Sequence, residues 1–252
     1  MYVDNHCHIF KEYYEDIDKV VKEAKDNKVD ILIISGCSKK DILEGLELIK
    51  KYDNVYLTIG YHPDEVDNVT DDDISELEKI YNENEKVIGI GEIGLDYYWV
   101  KDNKEKQLDL FNKQLELASR LNAPVVIHTR DATQDTINEL KKYNLKGIIH
   151  CFSGSKETAD IYLKMGYYLG IGGVLTFKNT NLKETIKSIP LNRITLETDS
   201  PYLAPTPHRG ETNSPKYIPL VAETIAEIKG VSPEEVGRET TNNTKTLFDL
   251  DL

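Results

Sequence analysis

Short runs rich in β-branched and aromatic residues alternate along this chain with longer stretches whose apolar positions recur at helical spacing. The runs predict strands near residues 2–8, 31–35, 55–59, 87–92, 125–128, 147–150, 168–171 and 194–197. Between them, Ile17, Val20, Val21 and Ala24 share one helical face, as do Ile42, Leu46 and Ile49, and Leu108, Phe111, Leu115 and Leu121. Ser38 and Thr70 are placed to cap helices, each with acidic residues in the following turn. A proline-rich loop from Pro201 to Pro215 leads to closing helices near 216–229 and 233–248. Eight strands alternating with helices predict an α/β chain folded as a single-domain (β/α)8 TIM barrel over residues 1–252. A doubly wound sheet would also alternate, but it carries a glycine fingerprint after its first strand. Here that strand ends in His-Cys-His.

Most of these runs end in a residue that can hold a metal ion. In a closed parallel barrel the strand ends share one mouth, so residues distant in sequence converge there. His6 and His8 are two apart and point to the same side of a strand, where both imidazoles can face one ion. Asp4 lies on that face as a supporting partner. Glu92, within VIGIGEIGLDYYW, has two carboxylate oxygens and can bridge two cations. His128 follows PVVI and His150 follows GII, placing further imidazoles on successive strands. Asp199, in RITLETDSPYL, is placed both to hold a metal and to take a proton from water, with Glu197 as outer support. Asp96 reads as substrate-facing or structural. Tyr97, Tyr98 and Trp99 could stack on a base, with packing over the barrel mouth the preferred reading. Substrate contacts are expected from His62 in IGYHP, Arg130 after His128, Ser153 after His150 and Arg209 in PHRG.

Composition narrows the setting. At 252 residues, with 39% hydrophobic and 30% charged residues, the chain is long enough for one α/β barrel. No apolar stretch approaches the ~20 residues of a membrane span, and no leader is read at the N-terminus. Cys7, Cys37 and Cys151 have no paired spacing, so a cytoplasmic protein without a disulfide framework or membrane partner is expected. A net charge of −13 argues against coating nucleic acid electrostatically. It leaves room for local metal ions and a few arginines to act on a phosphodiester.

The motifs DNHCHIF, GYHP, GEIGLDYY, PVVIHTRDA, HCFSG and ETDSPYLAP followed by PHRGETNSP occur in this order. Together they resemble the TatD family of metal-dependent deoxyribonucleases within the amidohydrolase-like barrels. The resemblance implies a (β/α)8 barrel with two divalent ions (zinc, magnesium, manganese or iron). It also implies hydrolysis of phosphodiesters, typically in DNA, with 3′–5′ exonucleolytic attack as one form. Carried onto this chain, His6, His8, Glu92 and Asp199 would surround one ion, and Glu92, His128 and His150 would hold a second. His208, before Arg209, is the loosest match. The mechanism expected is hydrolysis by metal-activated water, with Asp199 as base, Glu92 as bridging carboxylate and Arg130 helping to offset phosphoryl charge.

Two other readings use the same residues. A carboxylic ester or amide hydrolase, such as an aminoacyl-tRNA deacylase, would share the barrel. Related enzymes of that kind often bridge their ions with a modified lysine, whereas Glu92 stands at that position and the nearest lysines, Lys86 and Lys101, lie outside the motif. A non-catalytic metal-binding scaffold would be marked by lost ligands, and every expected ligand is present.

Overall fold

Strands and helices alternate through the computed structural model, which describes residues 1–99 and 102–251. Lys101 lies outside the described residues. The strands are β1 (Tyr2–Cys7), β2 (Val29–Gly36), β3 (Val55–Ile59), β4 (Val87–Asp96), β5 (Val125–Arg130), β6 (Gly147–Ile149), β7 (Tyr168–Ile171) and β8 (Ile194–Leu196). The helices are α1 (Ile17–Asp26), α2 (Lys39–Lys51), α3 (Asp71–Glu83), α4 (Lys104–Leu121), α5 (Thr133–Leu140), α6 (Lys156–Lys164), α7 (Leu182–Ser188), α8 (Ile218–Lys229) and α9 (Pro233–Phe248). Sheet order follows chain order from β1 to β8.

Every expected strand is present, but two chemically important ends move. β4 continues past Glu92 because Gly94, Leu95 and Asp96 pair with His128, Thr129 and Arg130 of β5. Glu92 and His128 therefore lie within strands rather than at their ends. β1, β6 and β8 stop at Cys7, Ile149 and Leu196, so His8, His150, Glu197 and Asp199 stand just beyond them. Ser38 and Thr70 do cap α2 and α3, each side-chain oxygen accepting a backbone N–H three residues on. Helix α1 buries all four of its expected residues. In α2 the buried face takes Leu48 with Ile42 and Ile49, leaving Leu46 half-buried.

The chain divides into two compact units, Met1–Ile34 with His150–Leu252, and Ser35–Ile149. In the first, β1 pairs in parallel with β2, and β7 with β8. Helix α9 is bound to these strands by buried polar side chains as well as by Val236, Leu247 and Phe248. Thr244 donates to Asn5 Oδ1 at 2.9 Å, and Asn5 Nδ2 donates to the Leu196 carbonyl at 3.0 Å. Asn243 Nδ2 donates to the carbonyls of Leu191 and Ile194 at 3.0 and 2.7 Å. These contacts fix α9, β1 and β8 against sliding along one another, which apolar contact alone resists weakly.

In the second unit, β3 to β6 pair in sequence, and α4 fastens the end of β4 and the loop after β3 with buried amides. Gln107 accepts from the Asp96 N–H and donates to the Asp96 carbonyl, both at 2.9 Å. Seven residues on, Gln114 does the same for Tyr61, at 2.7 and 3.0 Å. Gly94 has φ +155°, and a Cβ there would sit 1.9 Å from the His128 carbonyl oxygen. Close contact between β4 and β5 thus requires glycine at that position.

Gly94→Ala should cost about 2 kcal/mol or more, because β4 and β5 must separate. An unchanged urea midpoint would count against the close approach. Gln114→Leu should cost about 2 kcal/mol by leaving both polar groups of buried Tyr61 without partners, again read from the urea midpoint.

Candidate metal centre

In the first unit, His6 and His8 are held by pairing between the end of β1 and the segment after β8. Asp199 N–H donates to the His6 carbonyl at 2.9 Å, and His8 N–H donates to the Ser200 carbonyl at 2.7 Å. Asp199 is thereby placed beside both imidazoles. Its Oδ1 is 3.6 Å from His6 Nε2 and 3.5 Å from His8 Nε2, while the two Nε2 atoms are 3.1 Å apart. The ring of His150 lies 4.1 Å from that of His6, tilted by 30°. One ligand atom each from His6, His150 and Asp199 falls within 4.8 Å of the others.

The donor chemistry suits a divalent ion. A proton between His6 and His8 can serve only one Nε2 lone pair, and the facing carboxylate adds negative charge. A cation satisfies the nitrogen and oxygen lone pairs together. Burial alone would raise the Asp199 carboxyl, but the His8 contact and the charges of His150 and His6 outweigh it and hold it below the usual carboxylate range.

The Asp199 backbone has φ +55°, a costly conformation for a residue with a Cβ. Its neighbours secure it through several hydrogen bonds. Fully buried Asp4 accepts from Thr198 N–H at 3.0 Å, from Thr198 Oγ1 at 2.6 Å and from His6 N–H at 3.3 Å. Burial lifts the Asp4 carboxyl to about 8 in spite of these donors. Asn213 Nδ2 donates to the carbonyls of Thr198 and Tyr202 at 2.8 and 2.6 Å. Glu197 is fully buried, accepts from the Cys151 N–H, and lies 3.6 Å from His150 Nδ1. It therefore braces the turn that carries His150.

In the second unit, His128 lies between two carboxylates. Its Nδ1 is 2.8 Å from Glu92 Oε1, and its Nε2 is 3.1 Å from Asp96 Oδ2. Asp96 Oδ1 accepts from the N–H groups of Tyr98 and Trp99 at 2.9 and 2.8 Å. Burial pushes the Asp96 carboxyl up, but His128 and these two N–H groups outweigh it and leave it lowered. Cys37 Sγ donates to Glu92 Oε2 at 3.3 Å, and burial together with that carboxylate raises the thiol. His62 stacks edge-on against His128, with ring centroids 4.5 Å apart; its Nε2 is 3.8 Å from Glu92 Oε1 and its Nδ1 is 2.6 Å from Asp64.

His6, His8, His150 and Asp199 thus come together in one unit, and Glu92, His128 and His62 in the other. Arg130, Ser153 and Arg209 are exposed. The Arg209 guanidinium lies 3.7 Å from the centre of the Phe177 ring and donates to the Ala204 carbonyl at 3.3 Å. The structure divides the aromatic triplet between the two readings of the sequence. Tyr97 is 8% exposed and packs inward, but Tyr98 is 43% and Trp99 70% exposed, so neither is consumed in packing. Asn213, Thr198, Gln107 and Gln114 were not singled out from sequence, although Asn213 falls within the GETNSP motif and the glutamines interrupt an otherwise apolar helix face.

Residues 3–249 match the family described as TatD related DNase. The chain is 42% identical over 253 residues to the uncharacterized metal-dependent hydrolase YabD of Bacillus subtilis, covering 98% of this chain and 99% of that one. It is 37% identical over 257 residues to the uncharacterized metal-dependent hydrolase YcfH of Escherichia coli, covering 99% and 96%. The crystal structure of YjjV, a TatD homologue from Escherichia coli, superposes with a TM-score of 0.93 at 28% identity, covering 99% of this chain and 98% of that one. With eight parallel strands in chain order and helices between them, the fold class is the (β/α)8 barrel. The chain belongs to the TatD family of metal-dependent hydrolases.

Proposed function

We propose that the protein hydrolyses phosphodiester bonds, most directly in DNA, using two divalent ions held by His6, His8, Glu92, His128, His150 and Asp199. The observation that carries the reading is the convergence of His6 Nε2, His8 Nε2 and Asp199 Oδ1 within 3.6 Å of one another. Membership of a family described as TatD related DNase supports the choice of bond. When bound, the ions supply Lewis acidity that activates water near neutral pH and offsets charge on phosphoryl oxygens.

Within this reading the side chains have separate tasks. Glu92 offers two carboxylate oxygens and would be the ligand shared by both ions. His128 would hold an ion through one ring nitrogen, while the carboxylate at the other fixes ring orientation and tautomer. Asp199 takes the proton from the attacking water, and its lowered carboxyl keeps it ionised at neutral pH. His62 and Ser153 donate to phosphoryl oxygens, and Arg130 and Arg209 neutralise their charge. Among the described residues no helix is long and apolar enough to cross a membrane. All three cysteines are thiols, which suits a reducing compartment such as the cytosol.

A metal-supplemented preparation should turn over a labelled single-stranded oligonucleotide and lose that activity in EDTA. An aminoacyl-tRNA offered alongside should be left intact; its cleavage in place of the oligonucleotide would move the assignment to carboxylic esters. Asp199→Asn should lower kcat by about 10²–10⁴-fold, and undiminished turnover would remove the assigned base. Elemental analysis of His128→Ala should find the metal content fall from about two ions per chain to about one, as expected when a ligand needed for binding is removed. Asp96→Asn should weaken metal affinity by about 10- to 100-fold by loosening His128, and unaltered affinity would count against that orienting role.

A further inference from the structure

Trp99 is the single tryptophan of the chain, and its indole is 70% exposed. A large apolar ring left in water at a fixed position loses the burial energy that usually justifies tryptophan. Its position is fixed by the candidate centre. The N–H groups of Tyr98 and Trp99 both donate to Asp96 Oδ1, while Asp96 Oδ2 meets His128 Nε2. Tyr97 anchors the start of the turn, its N–H donating to the Arg130 carbonyl at 2.9 Å and its hydroxyl to Asp135 Oδ2 at 2.9 Å.

The surroundings indicate what the ring can receive. Tyr98 meets Trp99 edge-on, with centroids 4.7 Å apart and ring planes at 88°, so Tyr98 does not cover the indole face. The exposed Arg130 guanidinium lies 4.4 Å from the Tyr98 centroid and 5.4 Å from that of Trp99. In a chain of net charge −13 this places a cation beside two exposed rings. Aromatic faces next to a guanidinium match an unpaired nucleotide, whose base stacks and whose phosphate takes the charge.

We propose that Trp99, flanked by Tyr98 and Arg130, is a stacking platform for an unpaired nucleobase of the substrate strand. This rests on the phosphodiester reading and adds a subsite to it. Stacking accepts any base, so the platform selects single-stranded over paired nucleic acid without reading sequence. A base stacked on Trp99 is held at a set distance from His128 through Asp96, which positions the neighbouring phosphate.

The test uses full-length Asp199→Asn protein with bound metal, so that the strand survives the measurement. The probes are a single-stranded oligonucleotide and the same backbone with every base replaced by a tetrahydrofuran spacer. Anisotropy should show the base-bearing strand binding about 5- to 100-fold more tightly than the abasic one. Adding Trp99→Ala should remove most of that ratio, and Trp99→Phe should keep most of it. Emission from Trp99, read directly because no other tryptophan is present, should be quenched by the base-bearing strand and not by the abasic one. Tight binding without quenching, or Trp99→Ala weakening both strands equally, overturns the platform while leaving the phosphodiester reading in place. Failure of both strands to bind overturns both.

Discussion

Two backbone hydrogen bonds, Asp199 N–H to the His6 carbonyl and His8 N–H to the Ser200 carbonyl, hold together residues separated by more than three quarters of the chain. Everything in the first candidate cluster depends on them. They set the register in which two imidazoles from β1 meet a carboxylate from beyond β8, and a slip of one residue would turn those side chains to the opposite face. The surrounding polar side chains serve that register. Asp4 grips Thr198, Asn213 grips the carbonyls on either side of Asp199, and Asn5 with Thr244 ties β1 to the end of β8 and to α9. The positive φ at Asp199 persists because these bonds outweigh its cost.

The second cluster is built on another principle. Glu92 and His128 sit inside strands: His128 pairs with Gly94 in the β4–β5 ladder, while Glu92 falls at the irregularity between Ile90 and Ile93 of that ladder and is itself buried. Asp96 bears on three groups, orienting His128 with one oxygen and the Tyr98–Trp99 turn with the other. Gln107 in turn holds Asp96 by its backbone. A residue that reads from sequence as substrate-facing or structural is thus the junction between a proposed metal ligand and an exposed aromatic surface. In this acidic chain Arg130 lies against the Tyr98 and Trp99 rings and Arg209 against Phe177.

The alternation of strands and helices was legible because burial imposes simple periods: apolar runs for strands covered on both faces and three-to-four spacing for helices packed on one side. Ser38 and Thr70 announced their caps because a short polar side chain ahead of an acidic turn has one favoured local use. The end of β4 lies beyond the expected residue 92 because the missing Cβ of Gly94 admits the His128 carbonyl and lets the pairing continue, a fit that only the facing strand reveals. Trp99 stayed between packing and stacking for a related reason. Exposure is a property of what lies across from a ring, and composition favours burial for every aromatic alike.

By itself the sequence determined the strand and helix alternation, the residue types able to hold metal and their order along the chain, since these follow from local periodicity and side-chain chemistry. Tertiary structure decided which nitrogen and oxygen atoms face one another, that Asp96 rather than solvent occupies the second nitrogen of His128, and that Asn213, Gln107 and Gln114 secure the backbone around the candidate residues. Those outcomes depend on through-space distances of 2.6 to 3.6 Å between groups up to 194 residues apart. No local pattern encodes such separations, because they are set only when the strands pair and the helices dock.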